Sequence, residues 1–329
     1  MKLARRKFLH LAAGAVALPA VSRVATAQTY PTRPITIIVT FPAGSAMDTA
    51  GRVMAESMRR SLGQPVIIEN VSGANGTIGV GRVARSAPDG YTLVLGLWNT
   101  HVANGALYVL PYDLLMDFEP ISLLMKVPYF IVAKKAFPAD DLRGFIGWLK
   151  ANPNIATEST SGVGSAQHIG GILFQNLTAT RFQFVPYRSV SQAMQDLVPG
   201  RIDWTLASTG DAVAPLRSGN IKAYALTARN RLAVTPEIPT VDEAGLPGFY
   251  LTNWSGIWAP KRTPKAIIAR LNAAVVEALS DVAVQRYFTD TGAEIFPRDE
   301  QTPEALGSFQ KAEIEKWWPI IKAAGIKAE

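Results

Sequence analysis

The chain has 329 residues, 48% of them hydrophobic and 18% charged, enough to bury a sizeable core and to fill two domains. It contains no cysteine, which excludes disulfides, a thiolate nucleophile and thiolate metal sites. Its formal charge of +7 is concentrated at the start: residues 1–27 hold five of the 33 basic residues and no acid, leaving 28 against 26, without the excess or the charge blocks that nucleic-acid binding calls for.

Those first residues read as an export signal. A basic start (Lys2, Arg5, Arg6, Lys7) leads into an apolar run from Leu11 to Val21 and closes on Ala25-Thr26-Ala27, an A-x-A cleavage site. The run is shorter than the ~20 residues a membrane anchor needs. "ARRKFLH" resembles a twin-arginine motif, with Ala4 and His10 at variant positions; an ordinary secretory signal with two adjacent arginines has the same outline. Either route places the mature chain, from Gln28, in the periplasm.

From there short apolar runs alternate with helical patterns. Strands are expected at 35–41, 66–69, 91–97, 121–125, 130–134, 154–158, 182–187, 202–206, 221–227 and 255–259. Helices are expected at 48–62, 77–85, 142–150, 166–175, 190–197, 264–279 and 303–323. Val53, Met58 and Leu62 share one face of the first helix, with Arg52, Glu56, Arg59 and Arg60 elsewhere. Such alternation predicts α/β layers with largely parallel sheets. The extended apolar stretches "EPISLLMKVPYF" and "LTNWSGIWAPK" predict two crossovers between two lobes. The first lobe is then discontinuous, residues 28–124 plus 253–329, with 125–252 as the second.

Catalytic chemistry is poorly represented. Beyond the signal only His101 and His168 remain, in no metal-binding spacing. Nucleophile-elbow and phosphate-loop patterns are missing. "GVGRVA" (79–84) matches a dinucleotide-binding turn, but it lies about ten residues past its strand and inside a predicted helix, where glycines allow close packing. Neither a cofactor, a metal nor a catalytic residue is expected. Ser165 with His168 is the one pair that a secreted hydrolase could use.

Binding chemistry is better represented. "PAGSAMD", "SGANGT", "LWNTH", "TSGVGSAQ" and "ASTGD" each end a strand and open a helix with small or hydroxyl residues. Such loops present free N–H groups where anions bind. In open α/β sheets loops of this kind converge beyond the carboxyl ends of the strands. Ser, Thr, Asn and Asp also serve as ordinary helix caps, and Asp48 has that reading as well. Trp98 and Trp254 fall beside these loops, where they could wall a cleft or pack a core.

The ordered stretches "YPTRPITIIVTFPAGSAMDTAGR", "LGQPVIIEN", "APDGYTLVLG", "PYDLLMDFEPIS", "VPYRSVSQAMQDLVPGRID", "IPTVDEAGLPGF" and "WSGIWAPKRTP" resemble the solute-binding proteins of tripartite tricarboxylate transporters, the TctC or Bug family. The resemblance covers nearly the whole mature chain. It implies a two-lobed, type II periplasmic-binding-protein fold that encloses a small organic carboxylate, a di- or tricarboxylate or an aromatic acid, without catalysis. It also implies a monomer that delivers its ligand to transporter membrane subunits; an extracytoplasmic sensor would carry the same site. The family's A-G-x-x-x-D turn falls on Ala43, Gly44 and Asp48, and its second-lobe glycine loop on Ser161, Gly162, Gly164 and Ser165. Three departures stand out: Ser45 where a second glycine is usual, Arg188-Ser189-Val190 after "VPY", and "NVSGANG", which puts Asn75 near the mouth. With Met47, Trp98, Asn99, His168, Tyr187, Ser208 and Asp211 from the neighbouring loops, these residues make up the expected site.

Overall fold

The computed structural model describes residues 30–326. The expected export signal and the expected cleavage point after Ala27 lie outside the described residues.

The first lobe opens with β1 (Ile35–Val39), α1 (Ala46–Leu62), β2 (Val66–Asn70), α2 (Thr77–Ala84) and β3 (Thr92–Leu97). A π-turn at Asn99–Ala103 and the short α3 (Asn104–Leu107) follow. Then comes β4 (Phe118–Lys134), 17 residues long. The second lobe holds α4 (Leu142–Ala151), β5 (Thr157–Thr160), α5 (Ala166–Thr178), β6 (Gln183–Pro186), α6 (Val190–Leu197), β7 (Trp204–Ser208), α7 (Thr209–Arg217) and β8 (Ile221–Leu226). The chain returns through β9 (Thr252–Pro260) to α8 (Lys265–Leu279), α9 (Val282–Asp290), β10 (Glu294–Ile295) and α10 (Pro303–Ala323).

Strand order is β2-β1-β3-β9-β4-β7-β5-β6, with β8 and β10 also paired to β4. β1 pairs in parallel with β2 and β3, and β5 with β6 and β7. The loops that follow these strands therefore leave at the carboxyl ends, as predicted for a ligand-binding α/β sheet. The two strands expected at 121–125 and 130–134 are one. β4 pairs antiparallel with β9 from Phe118 to Pro128, then with β7 from Tyr129 to Ala133. Pro128 reads as a breaker, yet it sits where the strand passes from one partner to the next. Register shifts between Pro120 and Ser122 and between Leu123 and Lys126 take up the bend. The two crossovers are thus an antiparallel pair, β4 and β9, joining the lobes.

Three apolar clusters hold this frame. One lies between the first sheet and α1, α8 and α9, around Ile37, Met54, Leu271 and Phe288. A second lies beneath α6 and α7, around Phe130, Leu197 and Ala212. The third runs through the join, from Val94 and Trp254 by way of Tyr129 to Trp204 and Phe174. The glycines of "GVGRVA" are packing devices on α2: a Cβ on Gly79 would lie 2.7 Å from the Val71 carbonyl. Helix α7, α9, the π-turn and α3 were not expected. α7 begins with Thr-Gly and carries Pro215, and α9 opens on the β-branched Val282, all poor helix signals.

Candidate functional site

The turn Phe41–Ser45 is built by its own hydrogen bonds. Gly44 has φ +80°, a conformation that favours glycine. Ser45 caps α1, its Oγ accepting from the Asp48 N–H at 3.2 Å. Asp48 points inward: its carboxylate accepts from the Gly44 N–H (2.9 Å), Arg52 Nε (3.1 Å) and Asn70 Nδ2 (3.0 Å). The Arg52 guanidinium first, then the Gly44 N–H and the Asn70 amide, hold its carboxyl down at about 2. Asp48 is therefore an anion at neutral pH that locks the turn. The N–H groups of Ala46 and Met47, the first two of the helix, make no hydrogen bond among the described residues. A helix N-terminus with two free N–H groups favours an anion there.

These residues face a cavity of about 600 Å³. Phe41, Ser45, Ala46, Met47 and Leu97 line it from the first lobe, Ser208, Gly210 and Asp211 from the second. Met125, Val127, Tyr129 and Asn253 of the crossing strands form its floor, and Tyr287 to Ala293 of α9 and the segment after it complete the wall. Two other surface grooves are larger, at about 750 and 1000 Å³, but this one takes lining from both lobes, both crossing strands and two helix N-termini. Tyr287 donates its hydroxyl to the Ala46 carbonyl at 3.2 Å, tying α9 to the start of α1. Ser208 does not cap α7 through its side chain: its Oγ donates to Asp211 at 2.6 Å, and Ser191 donates to the other Asp211 oxygen at 3.0 Å. Burial first, and the nearby Asp211 carboxylate second, push the Tyr129 phenol upward.

Of the expected residues, Ser45, Met47, Ser208 and Asp211 meet in this cavity, while Ala43, Gly44 and Asp48 shape the turn beside it. The rest fall elsewhere. Asn75, in the left-handed region at φ +52°, donates to the Asn104 side chain at 2.9 Å and accepts from Asn99 at 3.1 Å; the three amides satisfy one another. Trp98, expected on the cleft wall, is buried edge-on against Trp317, because its indole completes the core that passes through the join. Trp254 is likewise buried, its Nε1 donating to Glu313. Tyr187 donates to Asp196 and is not part of the lining.

The loop Ser161–Ser165 lies against the first lobe rather than on the cavity. Gly162 and Gly164 have positive φ, and a Cβ on Gly164 would lie 2.9 Å from Leu107 of α3. Ser165 Oγ accepts from the His168 N–H at 3.3 Å, and His168 Nδ1 accepts from the Gly164 N–H at 3.1 Å. Both side chains are spent on capping and on the turn, so Ser165 and His168 do not form a nucleophile–base pair. Burial lowers the His168 pKa. What the sequence reading missed is the contribution of α9, its following turn, and the crossing-strand residues Tyr129 and Asn253. The Asp281 side chain, accepting from the Ala283 and Val284 N–H groups, was the one local signal for α9.

Comparison with known proteins places this architecture. The family model for the tripartite tricarboxylate transporter family receptor, TctC, matches residues 50–326. Among solved structures, MatC of Rhodopseudomonas palustris with bound malate is 38% identical, with a TM-score of 0.74, covering 89% of this chain and 100% of that one. The periplasmic binding protein BugD is 36% identical, with a TM-score of 0.74, covering 91% of this chain and 100% of that one. R. palustris Rpa4515 with adipate is 30% identical, with a TM-score of 0.76 and the same coverages, 91% and 100%. The fold is the two-lobed α/β periplasmic-binding-protein fold, and the chain belongs to the TctC/Bug family of periplasmic binding proteins.

Proposed function

We propose that this protein is a periplasmic, non-enzymatic solute-binding protein that captures a small organic carboxylate between its lobes. It then hands the ligand, as a monomer, to the membrane subunits of a tripartite tricarboxylate transporter. Residues 1–27 are its export signal, of twin-arginine type; residues 28–124 plus 253–329 form one lobe and 125–252 the other. The observation that carries the reading is the cavity of about 600 Å³ between the lobes, with the free Ala46 and Met47 N–H groups at its edge. The ligand carboxylate sits at that helix start. Ser45 and Met47 adjoin it, Ser208 and Asp211 line the other side of the cavity from the second lobe, and the Ser161–Ser165 loop and the Asn75–Asn99 amides set the lobe edges. Malate bound to MatC and adipate bound to Rpa4515 support the ligand class.

A thermal-shift screen of the mature chain against aliphatic and aromatic carboxylates, citrate and amino acids tests the reading. A ligand at about 100 times its dissociation constant stabilises the fold by about 2.7 kcal/mol. The shift should vanish in Ala46→Trp, which fills the cavity from an exposed helix position. A panel without any shift, or a shift that survives the Trp, would overturn the assignment.

A further inference from the structure

The charges around the cavity are one-sided. Two aspartates, Asp211 and Asp290, line it, and no lysine or arginine does. Asp290 is largely exposed and has Arg286 at 3.7 Å, so solvent and a cation screen it. Asp211 is half-buried in the first turn of α7; its two hydrogen-bond partners, Ser208 and Ser191, are neutral hydroxyls, and among the described residues no lysine or arginine pairs with it. Four aromatic side chains share the lining: Phe41, Tyr129, Tyr287 and Phe288. Tyr129 is 5% exposed, and among the described residues it makes hydrogen bonds only through its backbone, which leaves its hydroxyl unpartnered at the cavity beside Asp211.

A carboxylate and aromatic side chains lining one cavity attract a cation, through charge and, where a ring presents its face, through its quadrupole. The same carboxylate repels a second anionic group placed near it. The α1 N-terminus, at the other edge, attracts an anion. We infer that the cleft selects a zwitterion: a carboxylate whose far end carries a cationic nitrogen, with Asp211 as its counter-ion and the aromatic lining as its wall. Asp211 is thereby the specificity-determining residue that sets this protein against dicarboxylates. The inference rests on the carboxylate-binding reading and adds the chemistry of the ligand's other end.

The test is calorimetric titration of the mature chain with ligands of matched backbone: 4-aminobutanoate, 4-(trimethylammonio)butanoate, glutarate and pentanoate. The cationic members should bind at least about tenfold tighter than glutarate, and comparison of the two tells a primary from a quaternary nitrogen. Asp211→Asn should erase that preference, bringing the cationic members and glutarate to within about twofold of each other, whereas Asp211→Glu should keep its sign. Melting curves of the free variants report that they fold, and the wild-type ranking alone already decides the matter if they do not. Glutarate as the tighter ligand would overturn the zwitterion while leaving the carboxylate reading intact. A preference that survives Asp211→Asn would remove Asp211 from the role. Absence of binding by any carboxylate, in this set or the wider screen, would overturn the proposed function itself.

Discussion

Glu158 lies in the middle of β5, fully buried, and neither of its carboxylate oxygens has a hydrogen-bond partner among the described residues. Its register partner on β7 is Trp204, and the space for its head comes from Gly171, where a Cβ would lie 2.0 Å from Glu158 Oε2. Burial raises its carboxyl well above the ordinary 4.5, so the folded protein holds it neutral. The unfolded chain ionises near 4.5, and every step of pH above that favours unfolding. The contribution is therefore benign in acid and grows as a penalty towards neutral pH. Glu158→Gln keeps the shape and removes the ionisation. Its melting temperature relative to wild type should rise between pH 4.5 and pH 8, with a gap growing by roughly 1 kcal/mol per pH unit until the folded carboxyl itself ionises. Melts followed by circular dichroism at several pH values check this; an equal difference at both ends of the range would mean the carboxyl is not held neutral. A glutamate in a short strand reads in sequence as a solvent-facing residue, so nothing in "NIATEST" disclosed its burial.

Elements were legible where one pattern governed them. The β1 turn into α1, the capped helices α5 and α6, and α10 all follow from apolar spacing and hydroxyl caps. The continuity of β4 and the joint between β3 and β9 were not legible, since they depend on pairs of residues far apart in the chain. Gly96 and Gly256 face each other across β3 and β9. A Cβ on Gly96 would lie 2.2 Å from the His101 ring, and one on Gly256 would lie 2.9 Å from Trp258 and 3.0 Å from Leu306. The bare strands let His101 stack on Trp258 at 3.8 Å, and burial lowers that imidazole to about 3, so it stays neutral. His101, weighed in sequence only as a metal ligand, is a packing residue. Gly96→Ala should push the stack apart at a cost of about 1–3 kcal/mol. That is several degrees of melting temperature for a protein of this size, and an unchanged melt would show that the pair has no such constraint. The cavity was half legible for the same reason: its helix N-termini are written locally, but Tyr129, Asn253 and the α9 wall arrive by tertiary packing.

At the scale of the molecule the two lobes touch, among other places in the described residues, at three points where single side chains or glycines mark the contact. Gly164 of the second lobe meets Leu107 of the first. Lys316 of α10 donates to the Tyr250 carbonyl at 2.8 Å, just before β9. On the far flank, Gly292 after α9 lies against Thr209 at the start of α7, and an added Cβ would be 2.2 Å from Thr209 Cγ2. On the proposed function, a two-strand join lets the lobes separate about β4 and β9, and a ligand that contacts both would shift the balance towards the arrangement in which they meet. Gly292 lets the two effects of one substitution be told apart. Its φ of +71° penalises alanine in any arrangement of the lobes, by roughly 1 kcal/mol. The clash with Thr209 exists only when the lobes meet. Gly292→Ala should therefore lower the melting temperature of the free protein slightly. Its ligand affinity should fall by more than that strain accounts for, by about tenfold if the clash costs about 1.4 kcal/mol. Small-angle scattering should show wild type contracting on saturation with ligand, and the variant contracting only at higher ligand concentration. Equal affinities would mean that the Gly292–Thr209 contact is present in both states, and the closing movement would then have to run through the Gly164 and Lys316 flank alone.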